Sequence, residues 1–238
     1  MSPTPADAPA APPTWPVLNM NERRVLGVLV EKSKTTPDAY PMSINALLTG
    51  SNQKSNRDPI LDLSDVDVQD ALASAQKKGL TIRVTGGGRV ERWKHALYDA
   101  CKVGKVEAAL LTELLLRGPQ TEGELRGRAS RMEPIDDLDA LRAVLKPLAG
   151  RRLVVYLTPE GRRGTVLTHG FHAADELERL RARHAGAALD DEPRPSPTVR
   201  EAPPPGEIDA LKQTVAALQA DVAAVKEELR ALKAALGT

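Results

Sequence analysis

Aromatic side chains are scarce: two Trp, three Tyr and one Phe, 3% of 238 residues. Trp15, Trp93, Tyr98 and Phe171 are scattered singly, which excludes a platform of rings for stacking unpaired bases. Cysteine is represented by Cys101 alone, so no internal disulfide can form and a reducing, cytoplasmic setting is expected. Lys102 adjoins that thiol but no base does, so it reads as structural. Of four histidines, only His169 and His172 lie close together, with no cysteine or acid adjacent in sequence. They read as an incidental pair and not as a metal site. No apolar run approaches the roughly 18–20 residues of a membrane span, so no membrane association is expected. The N-terminus lacks the basic start and apolar run of a secretory signal. Gly86-Gly87-Gly88 is not followed by a helix, so it reads as a hairpin turn and not as a phosphate cradle. These absences leave no reaction centre, and catalysis, cofactor and metal are all unexpected.

Proline is unevenly spread. Of 19, six precede Val17 and six lie between Pro193 and Pro205. Both stretches are poor in large apolar residues and cannot bury enough surface to offset chain entropy. Residues 1–16 therefore read as a tail and 189–206 as a linker. The formal charge of +1 hides an imbalance: Met20 to His172 holds 24 Lys and Arg against 19 Asp and Glu, a net +5. Such an excess permits nucleic-acid contact without requiring it.

Between tail and linker, one grammar occurs twice. Asn19 with Glu22 forms a capping box for a helix over 19–33, with Val25, Leu26, Leu29 and Val30 as its apolar stripe. Ser43 opens a short helix to about Thr49. Ser64 with Asp67 opens a third, ending at Gly79. Leu80, Ile82 and Val84 alternate with polar neighbours as in a half-buried strand, and the chain returns through Val90 to His95. The second copy runs from Lys105 to His169. Thr121 with Glu124 caps its second helix and Asp136 with Asp139 its third; strands over 153–157 and 165–169 form the hairpin, and a helix over 173–185 follows. The expected fold is mainly α with small β-hairpin wings: two tandem winged-helix domains, 17–100 and 101–188.

The C-terminal stretch 207–236 carries a heptad seam of Ile208, Leu211, Val215, Leu218, Val222, Val225, Leu229, Leu232 and Leu236. Branched residues at one core position and Leu at the other favour two parallel strands. In that pairing Asp221 faces Lys226 and Glu228 faces Lys233 of a second copy, so a parallel coiled-coil homodimer is expected.

Several strings carry a resemblance to a known family. Glu31-Lys32, Thr35-Thr36-Pro37, Tyr40-Pro41, Asn52-Gln53-Lys54, Asn56-Arg57 and Pro59 resemble the first domain of the YceH-like bacterial family. Leu114 to Gly118, Gln120-Thr121, Gly123 to Arg126 and Arg128 resemble its second. The match spans about Leu18 to Phe171. It implies two winged-helix domains in a cytosolic bacterial protein, with no established activity, ligand or catalytic residue.

Winged helices often bind duplex DNA with the third helix in the major groove and the wing on phosphates. Arg83, Arg89, Arg92 and Lys94 lie on or beside the first wing, Arg162 and Arg163 at the tip of the second, and Lys54 and Arg57 in the polar loop 51–59. These are the candidate phosphate contacts; otherwise they are solvated hairpin charges. Asp65, Asp67 and Asp70, and Asp136, Asp137 and Asp139, oppose groove reading by the third helices. Two readings therefore stand: DNA gripped by wings and loops, or a protein–protein adaptor. Asn52, Gln53 and Asn56 add a polar surface for phosphate or peptide, or else bond to nearby backbone.

Overall fold

The structure is a computed structural model that describes residues 15–84 and 91–185. Helix α1 (Met20–Thr35) opens on the Asn19–Glu22 capping box. Strand β1 (Met42–Ser43) leads into α2 (Ile44–Ser51), capped by Ser43, and α3 (Asp65–Lys77) opens on the Ser64–Asp67 box. Strands β2 (Thr81–Val84) and β3 (Arg92–His95) follow, then a short α4 (Leu97–Cys101) that no sequence pattern announced. The order repeats as α5 (Lys105–Arg117), β4 (Gln120–Thr121), α6 (Glu122–Ala129), α7 (Leu138–Gly150), β5 (Val154–Tyr156) and β6 (Val166–His169), with α8 (Ala174–Ala185) last. The two antiparallel sheets match: β1-β3-β2 in the first half and β4-β6-β5 in the second. The described chain is thus a helix-rich α+β protein with eight α-helices and two small sheets. No helix among the described residues is long and apolar enough to cross a membrane.

Two local expectations need correction. The cap of α7 is Asp137, whose carboxylate accepts from the Ala140 N–H, and not Asp136. The alternation in β2 fails at two positions: Thr81 is buried and Ile82 is 40% exposed, while Leu80 is buried and Arg83 exposed. The Thr81 hydroxyl donates to the Leu72 carbonyl at 3.0 Å, which satisfies it against α3. From Ile82 onward the strand leaves the core, so alternation meets no apolar partner.

The topological boundary near residue 100 is not a boundary in packing, and the described residues belong to one compact unit. Leu18, Leu26, Val30 and Leu80 share a core with Leu111, Leu114, Leu145 and Phe171. Leu116 in turn joins Val25, Val28, Leu47, Leu72 and Trp93. Helix α1 is buried continuously from Glu22 to Glu31, and α5 from Ala108 to Leu116. Each is enclosed on all sides, as helices at the centre of a fold are. Main-chain bonds tie the halves as well: Leu18 N–H to Phe171 O at 2.9 Å and Asp58 N–H to Leu116 O at 3.0 Å.

Candidate functional site

The two hairpins differ in how they present charge. On the first, Arg83 lies 3.3 Å from Glu91, and Arg92 donates to the Pro41 carbonyl at 2.8 Å. Lys94 is exposed on β3. Arg89 lies outside the described residues, as does the whole heptad seam 208–236.

The second hairpin has a pinned tip. Thr165 Oγ1 accepts from the Arg162 N–H at 3.1 Å and lies within donating distance of the Pro159 and Arg162 carbonyls. Thr158 Oγ1 accepts from the Val166 N–H at 2.8 Å. Gly161 and Gly164, both at φ 79°, make the reversals, which residues with a β-carbon rarely adopt. Arg162 and Arg163 stand exposed on this scaffold.

The polar loop is turned largely inward. Asn52 bonds both ways with the Leu63 main chain, at 2.8 Å each. Arg57 is only 5% exposed; its guanidinium forks onto both carboxylate oxygens of Glu31, at 3.2 and 2.6 Å, and reaches Gly50 O and Gln53 Oε1. Asn56, held at φ 59°, turns its side-chain oxygen to Arg117 and Arg131. Those two arginines both hold Glu113, which is 1% exposed. The loop therefore bolts the first half to α5 and α6. Above it lies a recess of about 610 Å³ whose rim includes Lys32, Lys54, Gln53 and Arg131. Of the loop's two cations, Lys54 faces solvent and Arg57 is locked inside. Sequence reasoning did not foresee Glu113 or Arg131: Arg131 meets Asn56 from 75 positions away and Glu113 from 18, and no local pattern marks such contacts.

His169 and His172 stack with ring centroids 3.9 Å apart. An acid one helical turn further on reaches them: Glu176 Oε1 lies 3.1 Å from His172 Nδ1, off the line of a good hydrogen bond. Glu176 also forks with Arg23. Burial works to raise the Glu176 pKa, but the hydrogen-bonded Arg23 and the nearby His172 outweigh it and hold the value at about 2. Both imidazoles titrate below their usual range, pushed first by burial. Among the described residues, no group of three or more His, Cys, Asp or Glu is placed to hold a metal. Cys101 is buried, which pushes its thiol up to about 11, the direction of an unreactive cysteine.

The third helices keep their acids in view. Asp65 and Asp70 on α3 and Asp136, Asp137 and Asp139 at the start of α7 are exposed. Val66 stands 65% exposed among the first set and Leu138 38% exposed within the second.

Fold and sites together define a helix-rich α+β protein of two like-ordered halves, bolted by buried ion pairs and carrying a basic tip on the second hairpin. The chain belongs to the family described as "Protein of unknown function, DUF480", which matches residues 18–162. It is 45% identical over 175 residues to "UPF0502 protein RB6530" of Rhodopirellula baltica, covering 72% of this chain and 73% of that one. It is 41% identical over 213 residues to "UPF0502 protein GSU0233" of Geobacter sulfurreducens, covering 87% and 89%. It is 39% identical over 224 residues to a "UPF0502 protein" of Hahella chejuensis, covering 91% and 94%. The resemblance read from the sequence thus holds at the level of a functionally uncharacterised bacterial family.

Proposed function

We propose that this chain is a non-catalytic, cytoplasmic tandem winged-helix module that grips duplex DNA through phosphate contacts. Helix, short strand, two helices and hairpin recur in order, which supports the winged-helix reading, as does the likeness to YceH-like proteins. One observation carries the DNA reading: Arg162 and Arg163 stand exposed at a tip that Thr165 and Thr158 hold in shape. Phosphate contacts need positive charge, reach and a fixed support. Lys94, exposed on β3, is a further candidate contact. The acidic starts of α3 and α7 disfavour base reading, so the grip is insensitive to sequence. The heptad seam pairs two copies through a parallel coiled coil and raises avidity.

The test is titration of random-sequence duplex DNA at several salt concentrations. Affinity is expected to fall steeply with salt and to drop on changing Arg162 and Arg163 to Ala. A second reading, an adaptor that binds protein, draws on exposed Val66 between Asp65 and Asp70. Absence of DNA binding even at low salt overturns the first reading in favour of the second.

A further inference from the structure

A second cavity, of about 520 Å³, lies between α1, the Asp58–Pro59 turn, the end of α5 and one side of α8. It uses none of the hairpin-tip cations. Its walls bring in five guanidiniums, from Arg23, Arg24, Arg117, Arg179 and Arg183, against the carboxylates of Asp58 and Glu176. Leu114, Leu115, Leu180 and Met20 supply an apolar side. The volume falls in the range of sites for small organic ligands, and the lining is richer in charge than most.

Arg24 sets this cavity apart. It is 2% exposed. Its two terminal nitrogens donate to backbone carbonyls, Ser51 O at 2.8 Å and Pro59 O. No carboxylate pairs with it, and its Nε has no partner; the Nε of Arg23 is likewise buried without one. Arg57, as deeply buried, holds both oxygens of Glu31. Burial pushes the Arg24 pKa down to about 10, Arg57 adds to the shift and Asp58 partly offsets it. The group therefore stays charged at neutral pH. A buried cation without a paired anion is costly, and an anion supplied from outside relieves that cost. Arg183 is exposed on α8 at the cavity wall, where it can close over such an anion. Helix α8 buries no residue of its own; Glu176 ties it to Arg23 and His172.

We propose that this cavity binds a small organic phosphate monoester, its phosphate received by Arg24 and Arg183 and its carbon body lying on Leu180 and Met20. Guanidinium forks match phosphate oxygens. Arg23, Arg117 and Arg179 are paired with Glu176, Glu113 and Asp175, which leaves Arg24 and Arg183 for the anion; two guanidiniums suit the several oxygens of a phosphate better than a single carboxylate.

The test is calorimetry and thermal unfolding of the full chain at low salt, with phenyl phosphate, inorganic phosphate and benzoate as probes and no DNA present. Phenyl phosphate is expected to bind saturably and raise the Tm by several degrees. It should bind about tenfold more tightly than either other probe, a difference of about 1.4 kcal/mol. Arg183→Ala, a change at an exposed position, should weaken phenyl phosphate about tenfold and leave the Tm of the unliganded chain unchanged. Arg24→Met should abolish binding. No saturable binding of phenyl phosphate by the wild-type chain overturns the proposal. So does equal binding of benzoate, or binding that Arg183→Ala and Arg24→Met both leave intact.

Discussion

Gly27 of α1 lies so close to Leu116 of α5 that a β-carbon at position 27 would stand 2.7 Å from Leu116 Cδ2 and 2.8 Å from its Cγ. The two helices enclosed at the centre of the fold meet at this point, and the absence of a side chain lets them meet. Gly27→Ala gains about 1 kcal/mol of helix propensity but forces a methyl into filled space, at about 1–3 kcal/mol. Net destabilisation is expected by urea denaturation. Gly127, exposed on α6 with nothing within 4 Å, is the control. Gly127→Ala should stabilise by about 0.5–1 kcal/mol. Equal stabilisation by both changes would show that α1 and α5 do not pack this closely.

The Glu31–Arg57 pair holds the polar loop against α1, with the guanidinium side chain fully shielded and the carboxylate nearly so. Removing one partner leaves a buried charge unpaired, at about 3–5 kcal/mol. Arg57→Met is expected to lose that much in denaturant unfolding. Arg57→Met combined with Glu31→Leu should lose less than the sum of the two single changes. Strict additivity would show that the two side chains do not interact.

Acid should weaken the fold in two steps. His95 is buried with a pKa pushed down to about 4, first by burial and then by Lys34. The unfolded chain takes up that proton near pH 6.5. Stability is therefore full above about pH 6.5 and falls toward pH 4, by up to about 1.4 kcal/mol per pH unit for this group. His95→Leu should make that limb of a pH series of urea midpoints shallower, leaving the share of His169 and His172. Glu176, held at about 2, contributes above its usual 4.5 and loses that contribution as pH falls through the folded value. Glu176→Gln should shrink the lower limb, leaving the share of Glu22 and the other depressed carboxylates. A midpoint unchanged between pH 7 and pH 4.5 would contradict the burial of His95.

Salt dependence measures the hairpin contact count. Each phosphate contact contributes a slope of about 0.9 in the logarithm of affinity against the logarithm of salt. Replacing Arg162 and Arg163 together should reduce the slope by up to about 1.8. A change of affinity with no change of slope would place the two arginines outside the phosphate contacts. Removing residues 207–238 should convert a dimer to a monomer in light scattering, and an unchanged mass would refute the coiled-coil pairing.

Local chemistry was legible from the residues. The boxes at Asn19–Glu22, Ser64–Asp67 and Thr121–Glu124 open helices where the sequence places them, because a cap is decided within four residues. Near misses arose where two acids competed, as at Asp136 and Asp137, or where a strand left the core, as at Ile82. Arg57 is the clearest case of a candidate whose setting was hidden. In sequence it is one more loop cation; in space it is locked to Glu31 from another element.

What the sequence determined by itself is the succession of helices and hairpins and the grammar that repeats, since capping, periodicity and turn residues act over a few positions. Tertiary structure alone decided that α1 and α5 share one core across the midpoint of the chain. It also decided which arginines are shut away and which stand in solvent, and that a buried Arg24 faces a cavity without a carboxylate partner. Those outcomes depend on contacts between residues tens of positions apart, where desolvation and packing set the energy and no local pattern carries the information.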